Sequence, residues 1–120
     1  MTPLLEQLGA GKAHGFDKLE LPECGAEVVA HLWRPDARIF AALYYVGELA
    51  PDVAVRQIVA CLGDEHGRSF VSWDKDGALV LDPAALAVVS ELDPPIFAKL
   101  SRAVTPMFFG KKKEVIKGES

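Results

Sequence analysis

The fold turns on one stretch, Phe16-Asp17-Lys18-Leu19-Glu20-Leu21-Pro22-Glu23-Cys24-Gly25 followed by Ala26-Glu27-Val28-Val29-Ala30-His31-Leu32-Trp33-Arg34-Pro35-Asp36. Phe16, Leu19 and Leu21 lead into Pro22-Glu23-Cys24-Gly25, where Pro and Gly mark a turn, and residues 27–33 are rich in β-branched and aromatic side chains. This predicts a β-hairpin turning near Glu23 to Gly25. Strand side chains have a period of two, so Val29, His31 and Trp33 share one face while Val28, Ala30 and Leu32 share the other. Both faces are partly apolar, and both are expected to touch other parts of the chain. Arg34-Pro35-Asp36 then ends the strand and starts a helix. Proline lacks a ladder donor yet suits a first helical turn, and Asp36 complements the positive end of the helix dipole. The helix is predicted to run to about Leu49. Ile39, Phe40, Leu43, Val46 and Tyr44 recur at three-to-four spacing, an apolar stripe able to cover the hairpin.

Upstream, residues 1–15 mix Leu4, Leu5 and Leu8 with Gly9, Gly11 and Gly15, which predicts a short helical turn in a flexible segment. Downstream, Val55, Ile58, Val59 and Leu62 fit a helix while Ile58-Val59-Ala60-Cys61-Leu62 also fits a strand, so periodicity leaves 53–62 open. Gly63-Asp64-Glu65-His66-Gly67 reverses the chain. Ser69 to Trp73 reads as a short strand pairing back onto the preceding segment and closed by Asp74-Lys75-Asp76-Gly77. Asp82-Pro83 and Asp93-Pro94-Pro95 are two helix starts. The first opens a helix to near Leu92, with Leu86, Val89 and Leu92 on one face; the second opens a helix through Ile96, Phe97, Leu100 and Val104 up to Thr105-Pro106. The expected architecture is one α+β domain over 16–109: an N-terminal hairpin, a central helix at 36–49 and two C-terminal helices. Residues 110–120 read as a solvated basic tail.

Composition agrees with one domain. The chain has 120 residues, 50% hydrophobic and 25% charged, enough for one modest core and too apolar for a wholly disordered chain. No apolar run approaches the roughly 18–20 residues of a membrane span. Residues 1–10 contain Glu6 and no basic residue, unlike a secretory signal, so a cytoplasmic location is expected. Of the net charge of −4, residues 111–120 contribute +2 through four Lys and two Glu, leaving −6 on residues 1–110. An acidic body is repelled by phosphate backbones, which argues against nucleic acid as a partner.

Catalytic and metal signatures are weak. The sequence holds no phosphate-binding glycine loop ending in Lys-Ser or Lys-Thr, no serine elbow and no His-Glu-x-x-His helix. Cys24, Cys61, His14, His31 and His66 are of zinc-ligand type, but their spacing lacks the close pair that preorganises a site. Cys24 and Cys61 therefore read as buried thiols. Pairing Cys61 with His66 as nucleophile and base meets an objection, because an apolar setting raises a thiol pKa. The turns at 64–67 and 74–77 concentrate acidic oxygens without continuing into a twelve-residue calcium loop. No catalytic residue, metal or cofactor is expected.

The aromatic residues carry more signal. Tyr44 and Tyr45 are adjacent and cannot both face the core from one helix, and Met107-Phe108-Phe109 follows the break expected at Pro106. With Trp73, these six residues are the candidates for contact with a partner protein.

The order of motifs adds a resemblance. The run from Lys18 to Leu32 around Pro22-Glu23-Cys24-Gly25, a helix, then Val59-Ala60-Cys61-Leu62-Gly63-Asp64-Glu65-His66-Gly67-Arg68-Ser69-Phe70 and paired helices resembles the tail assembly chaperones of long-tailed bacteriophages and prophages. The resemblance covers roughly residues 16–105 and rests on turn and packing signals. One departure is the stretch from Trp73 to Leu81, longer than the family's usual link. The resemblance implies a non-enzymatic protein without cofactors that binds the tape-measure protein and helps recruit tail-tube subunits; self-association is a further possibility it leaves open. It also implies two lengths made by programmed frameshifting, for which Lys111-Lys112-Lys113 would supply adenine-rich codons. A small regulatory or adaptor domain using the same aromatic surface is the alternative.

Overall fold

A computed structural model describes residues 3–11, 15–45 and 52–110. The hairpin forms where its alternation demands. Strands β1 (Phe16–Glu20) and β2 (Val29–Trp33) pair antiparallel, with Phe16 opposite Trp33 and Glu20 opposite Val29. In the turn, the Cys24 and Gly25 N–H groups donate to the Leu21 and Pro22 carbonyls at 2.9 and 3.1 Å. The register places Leu19, Ala30 and Leu32 on the inner face, and Leu32 is fully buried. On the outer face the Phe16 ring lies 4.6 Å from Trp33 and 5.1 Å from His31. Trp33 Nε1 donates to the Asp64 carbonyl at 2.8 Å, so the outer face is also engaged, as its apolar content leads one to expect. Upstream, α1 (Pro3–Gly9) is a seven-residue helix with no buried residue.

Helix α2 (Ala37–Tyr44) starts at Asp36, whose Oδ1 accepts from the Ile39 N–H at 3.0 Å; this N-cap satisfies an amide that has no partner inside the helix. Pro35 precedes the cap rather than opening the first turn. The helix ends at Tyr44, short of Leu49, and residues 46–51 lie outside the described residues. Helix α3 (Val53–Cys61) leads directly into β3 (Leu62–Gly63), so both readings of 53–62 apply to successive parts of it. Strand β3 pairs antiparallel with β2, Leu62 opposite Leu32, and completes a sheet in the order β1-β2-β3.

That junction corrects the expected packing of the hairpin. Because the chain passes from α3 straight into the sheet, α3 lies against β2, while α2 packs on α3. The α+β architecture is as expected, with α2 and α3 as its central helices and α3 the one on the sheet. Ile58, Val59 and Cys61 are fully buried, Gln57 and Ala60 almost so, whereas α2 buries only Leu43.

The strand at 71–73 also pairs differently from expectation. Ser69 makes a single bridge to Gly63, and β4 (Val71–Trp73) pairs forward with β5 (Leu79–Leu81), Val71 opposite Leu81. The intervening turn explains why. Asp74 Oδ1 accepts from the Asp76 and Ala78 N–H groups at 2.8 and 2.9 Å, and Gly77 takes a positive φ of 82°, which folds the chain back onto β4. Helix α4 (Pro83–Ser90) follows, capped by Asp82, which accepts from the Ala84 N–H at 3.1 Å. It stops two residues before Leu92 and buries Ala85 and Val89, with Leu86 and Leu92 half-buried beside them.

Helix α5 (Pro94–Phe109) runs through Pro106 instead of breaking there. Proline removes one donor, leaving the Arg102 carbonyl without its usual partner four residues on. The last turn holds because Met107 and Phe108 pack against the core, and the Gly110 N–H donates to the Pro106 carbonyl at 2.7 Å. The core thus joins Leu32 from the hairpin, the middle of α3, Leu81, Val89, Leu100 and Val104. The basic tail and its lysine run, residues 111–120, lie outside the described residues.

Candidate functional site

Continuation of α5 past Pro106 sets its last turn beside the end of α2. The Phe40 ring lies 5.2 Å from Tyr44, 5.5 Å from Tyr45, 6.3 Å from Phe108 and 5.8 Å from Phe109. Tyr44 and Phe109 stand edge to face at 5.3 Å. Such tilted and edge-on arrangements bring positive ring edges to negative faces, and each is worth about 0.5–1.5 kcal/mol beyond the area it buries. The cluster is nevertheless not sealed. Tyr45 is 74% exposed and Phe109 57%.

One edge of this patch is tied to the core. Tyr44 is half-buried, and its Oη accepts a hydrogen bond from Gln57 Nε2, the side-chain amide of a residue only 5% exposed on α3. Burial raises the Tyr44 pKa above its ordinary value, with the Gln57 bond opposing that shift, so the phenol is neutral at physiological pH. The Gln57 bond fixes one ring; Tyr45 and Phe109 extend from it into solvent.

Of the six residues singled out by sequence, Tyr44, Tyr45, Phe108 and Phe109 share this cluster. Met107 sits beside it, lining a groove of about 220 Å³ with Pro35, Phe40 and Phe108. Trp73 stands apart: it makes no ring contact with the group, and the Arg38 guanidinium covers its face at 3.7 Å. Phe40 is the aromatic the sequence reading assigned to the core stripe. Its place four residues before Tyr44 and five before Tyr45 was the available signal, since i,i+4 neighbours stack on one helix face.

The polar candidates lie elsewhere. Burial pushes the Cys61 thiol up to about 12, which removes thiolate character at neutral pH. His66 projects from the 64–67 turn, exposed, 3.4 Å from Glu65. Cys24 is exposed in the hairpin turn, contrary to the expectation of a buried thiol, because the tight turn holds it at the chain's outer edge. Asp64 organises its own loop. Its Oδ1 accepts from the His66 and Arg68 N–H groups and its Oδ2 from Arg68 Nε at 2.8 Å, and hydrogen bonding to Arg68 above all holds the carboxyl at about 2. Among the described residues, no group of three or more His, Cys, Asp or Glu is placed to hold a metal ion, and no helix is long and apolar enough to cross a membrane.

What this geometry offers is contact: large rigid rings, with few rotamers to freeze, placed at the ends of two helices. Comparison of the chain with protein-family models, with curated proteins and with solved structures finds no match.

Proposed function

We propose that this chain is a tail assembly chaperone that holds a helical segment of the tape-measure protein on the Phe40–Tyr44–Tyr45–Phe108–Phe109 patch and helps recruit tail-tube subunits. The observation that carries the reading is the exposure of Tyr45 and Phe109 within a cluster whose other rings are already packed. A long helical client presents an apolar stripe at i, i+3, i+4 and i+7, and rings standing proud of a small domain suit such a stripe. The net charge of −4 keeps a complex with an aggregation-prone partner soluble.

Co-expression with the protein encoded immediately downstream tests the proposal. Specific co-purification of a long helical partner that is insoluble alone is the expected result, with loss of retention in Tyr45→Ala and Phe109→Ala. A downstream product that neither binds nor becomes soluble overturns the chaperone reading and leaves the adaptor reading in its place.

A further inference from the structure

Beyond Met107 the patch opens into a second, larger groove of about 820 Å³ between β1 and the last two turns of α5. Leu19, Leu32 and Ala103 give it apolar walls; Arg34 and Arg102 stand on it against one carboxylate, Asp17, and Lys18 borders it from the outer face of β1. Asp17 is already taken by Arg34, at 3.1 Å. Lys18 and Arg102 are exposed and, among the described residues, have no carboxylate within ion-pair distance, whereas Arg56, Arg68 and Lys99 each have one. In a chain of net charge −4 this is a local reversal of sign beside the surface proposed to bind a partner.

We infer that the partner segment is an acidic amphipathic helix, with an apolar anchor on the aromatic patch and a carboxylate about two turns away, facing Arg102. The inference rests on the helix-binding reading above and adds the charge and spacing of what is bound. The spacing comes from α5 itself. Arg102 and Phe109 are seven positions apart, and at about 1.5 Å per residue the two lie roughly 10 Å apart along the helix axis. A helix lying alongside α5 spans that distance between residues i and i+7. Strand addition to β1 is the poorer fit, because Asp17, Lys18 and Glu20 put charges along that edge, a common guard against pairing. The flanking cations supply register and selectivity, while the rings supply contact area.

The test uses the full chain and two fluorescein-labelled designed helical peptides sharing one Leu/Phe stripe. One carries Glu, the other Lys, at the flanking positions two turns from the Phe anchor, and binding is followed by anisotropy at low and at physiological salt. The expected result is that the Glu peptide binds about tenfold more tightly at low salt, the margin shrinking as salt rises. Arg102→Glu is expected to abolish or reverse the preference, Lys18→Glu, on the outer face of β1, to alter it far less, and Phe109→Ala to weaken both peptides alike. Circular dichroism confirms folding of these surface variants. Equal affinity for the two peptides, with both weakened by Phe109→Ala, overturns the acidic selectivity while leaving a helix-binding patch. A preference for the Lys peptide, or one unmoved by Arg102→Glu, overturns it as well. If neither peptide binds, this inference falls, and retention of the downstream protein decides separately whether the chaperone reading falls with it.

Discussion

Around α3 the described chain closes on itself, and at the ends of α2 and α5 the described residues leave rings exposed. Ile58 and Val59 are fully buried among side chains from the sheet, α4 and α5, while Tyr45 and Phe109, of similar or larger apolar area, remain mostly in water. Both regions are apolar, and the difference lies in what surrounds them. The middle of α3 has an element on each side. Among the described residues, the aromatic patch is tied down on its inner side, where Gln57 bonds to Tyr44. An apolar residue in the first region stabilises the fold; one in the second is available to a partner.

The largest expected effect breaks that comparison at its buried side. Ile58→Ala removes three carbons from a site with no access to water and leaves a cavity, for a loss of about 2–5 kcal/mol in unfolding free energy. Phe109→Ala removes more atoms, yet is expected to cost only about 1–2 kcal/mol, because more than half of the ring faces solvent and the loss is confined to its contacts with Phe40, Tyr44 and Phe108. Urea titration of the two variants checks this. Equal destabilisation would mean that the patch belongs to the core.

Next in size is Gly63→Ala, at the point where sheet and loop meet. A Cβ there would lie 2.8 Å from Trp33 Cδ1 and 2.9 Å from the Arg68 carbonyl oxygen, too close for either to remain in place. The Trp33 indole is held by its bond to Asp64 and cannot swing away freely. Overpacking of this kind costs about 1–3 kcal/mol, and thermal unfolding is expected to show it. An unchanged melting temperature would mean that the Asp64–Arg68 loop is free to move off the sheet.

Tyr44→Phe sharpens the comparison at the boundary between the two regions. It keeps the ring and its contacts and deletes the hydroxyl, stranding the buried Gln57 amide without its partner. A buried unsatisfied polar group costs about 1–3 kcal/mol; Gln57 at 5% exposure and a half-buried Tyr44 place this case toward the lower end. The expected outcome is a stability loss with helix binding largely retained, separable by denaturation and by the peptide titration. A second substitution, Gln57→Leu, is expected to recover part of the loss by removing the stranded amide.

The same contrast governs what the sequence made legible. Asp36 and Asp82 announced their helices because capping is local: one side chain and one amide within three residues. The hairpin was equally readable, its turn and alternation lying within eighteen residues. Long-range pairings were not. Leu79 to Leu81 is too short to show a period, so the sequence does not mark β5 and its local pattern points β4 to the wrong partner. Pro106 reads as a break because its local cost is visible in sequence, whereas the packing of Met107 and Phe108 that carries the helix onward is not. Adjacent Tyr44 and Tyr45 revealed that one of them must be exposed. Phe40 looked like core because its spacing is that of a core stripe, and only the arrival of α5 turns its ring into part of a surface. The basic groove joins β1 to α5 across more than eighty residues, and nothing in the local sequence brings β1 and Arg102 together.

The smallest expected effect is a change with pH in the loop that closes the outer face of the hairpin. Asp64 titrates at about 2 in the folded chain, below its ordinary 3.8, because Arg68 and the loop amides bind the charged form. A folded-state pKa below the unfolded one means that the carboxylate's contribution is fully present above about pH 4. It is lost as pH falls toward 2, where the folded form takes up its proton. The group is solvent-exposed, so this is a local tightening rather than a determinant of global stability. Trp33 provides the readout, since its indole N–H donates to the backbone carbonyl of Asp64. Between pH 5 and 2 the indole proton resonance is expected to move with a midpoint near the low Asp64 value, and Asp64→Asn to flatten the titration while leaving the hairpin paired. A midpoint near the ordinary carboxylate value would show that Arg68 does not hold Asp64 in solution, and the outer face of the sheet would then be as open as the aromatic patch.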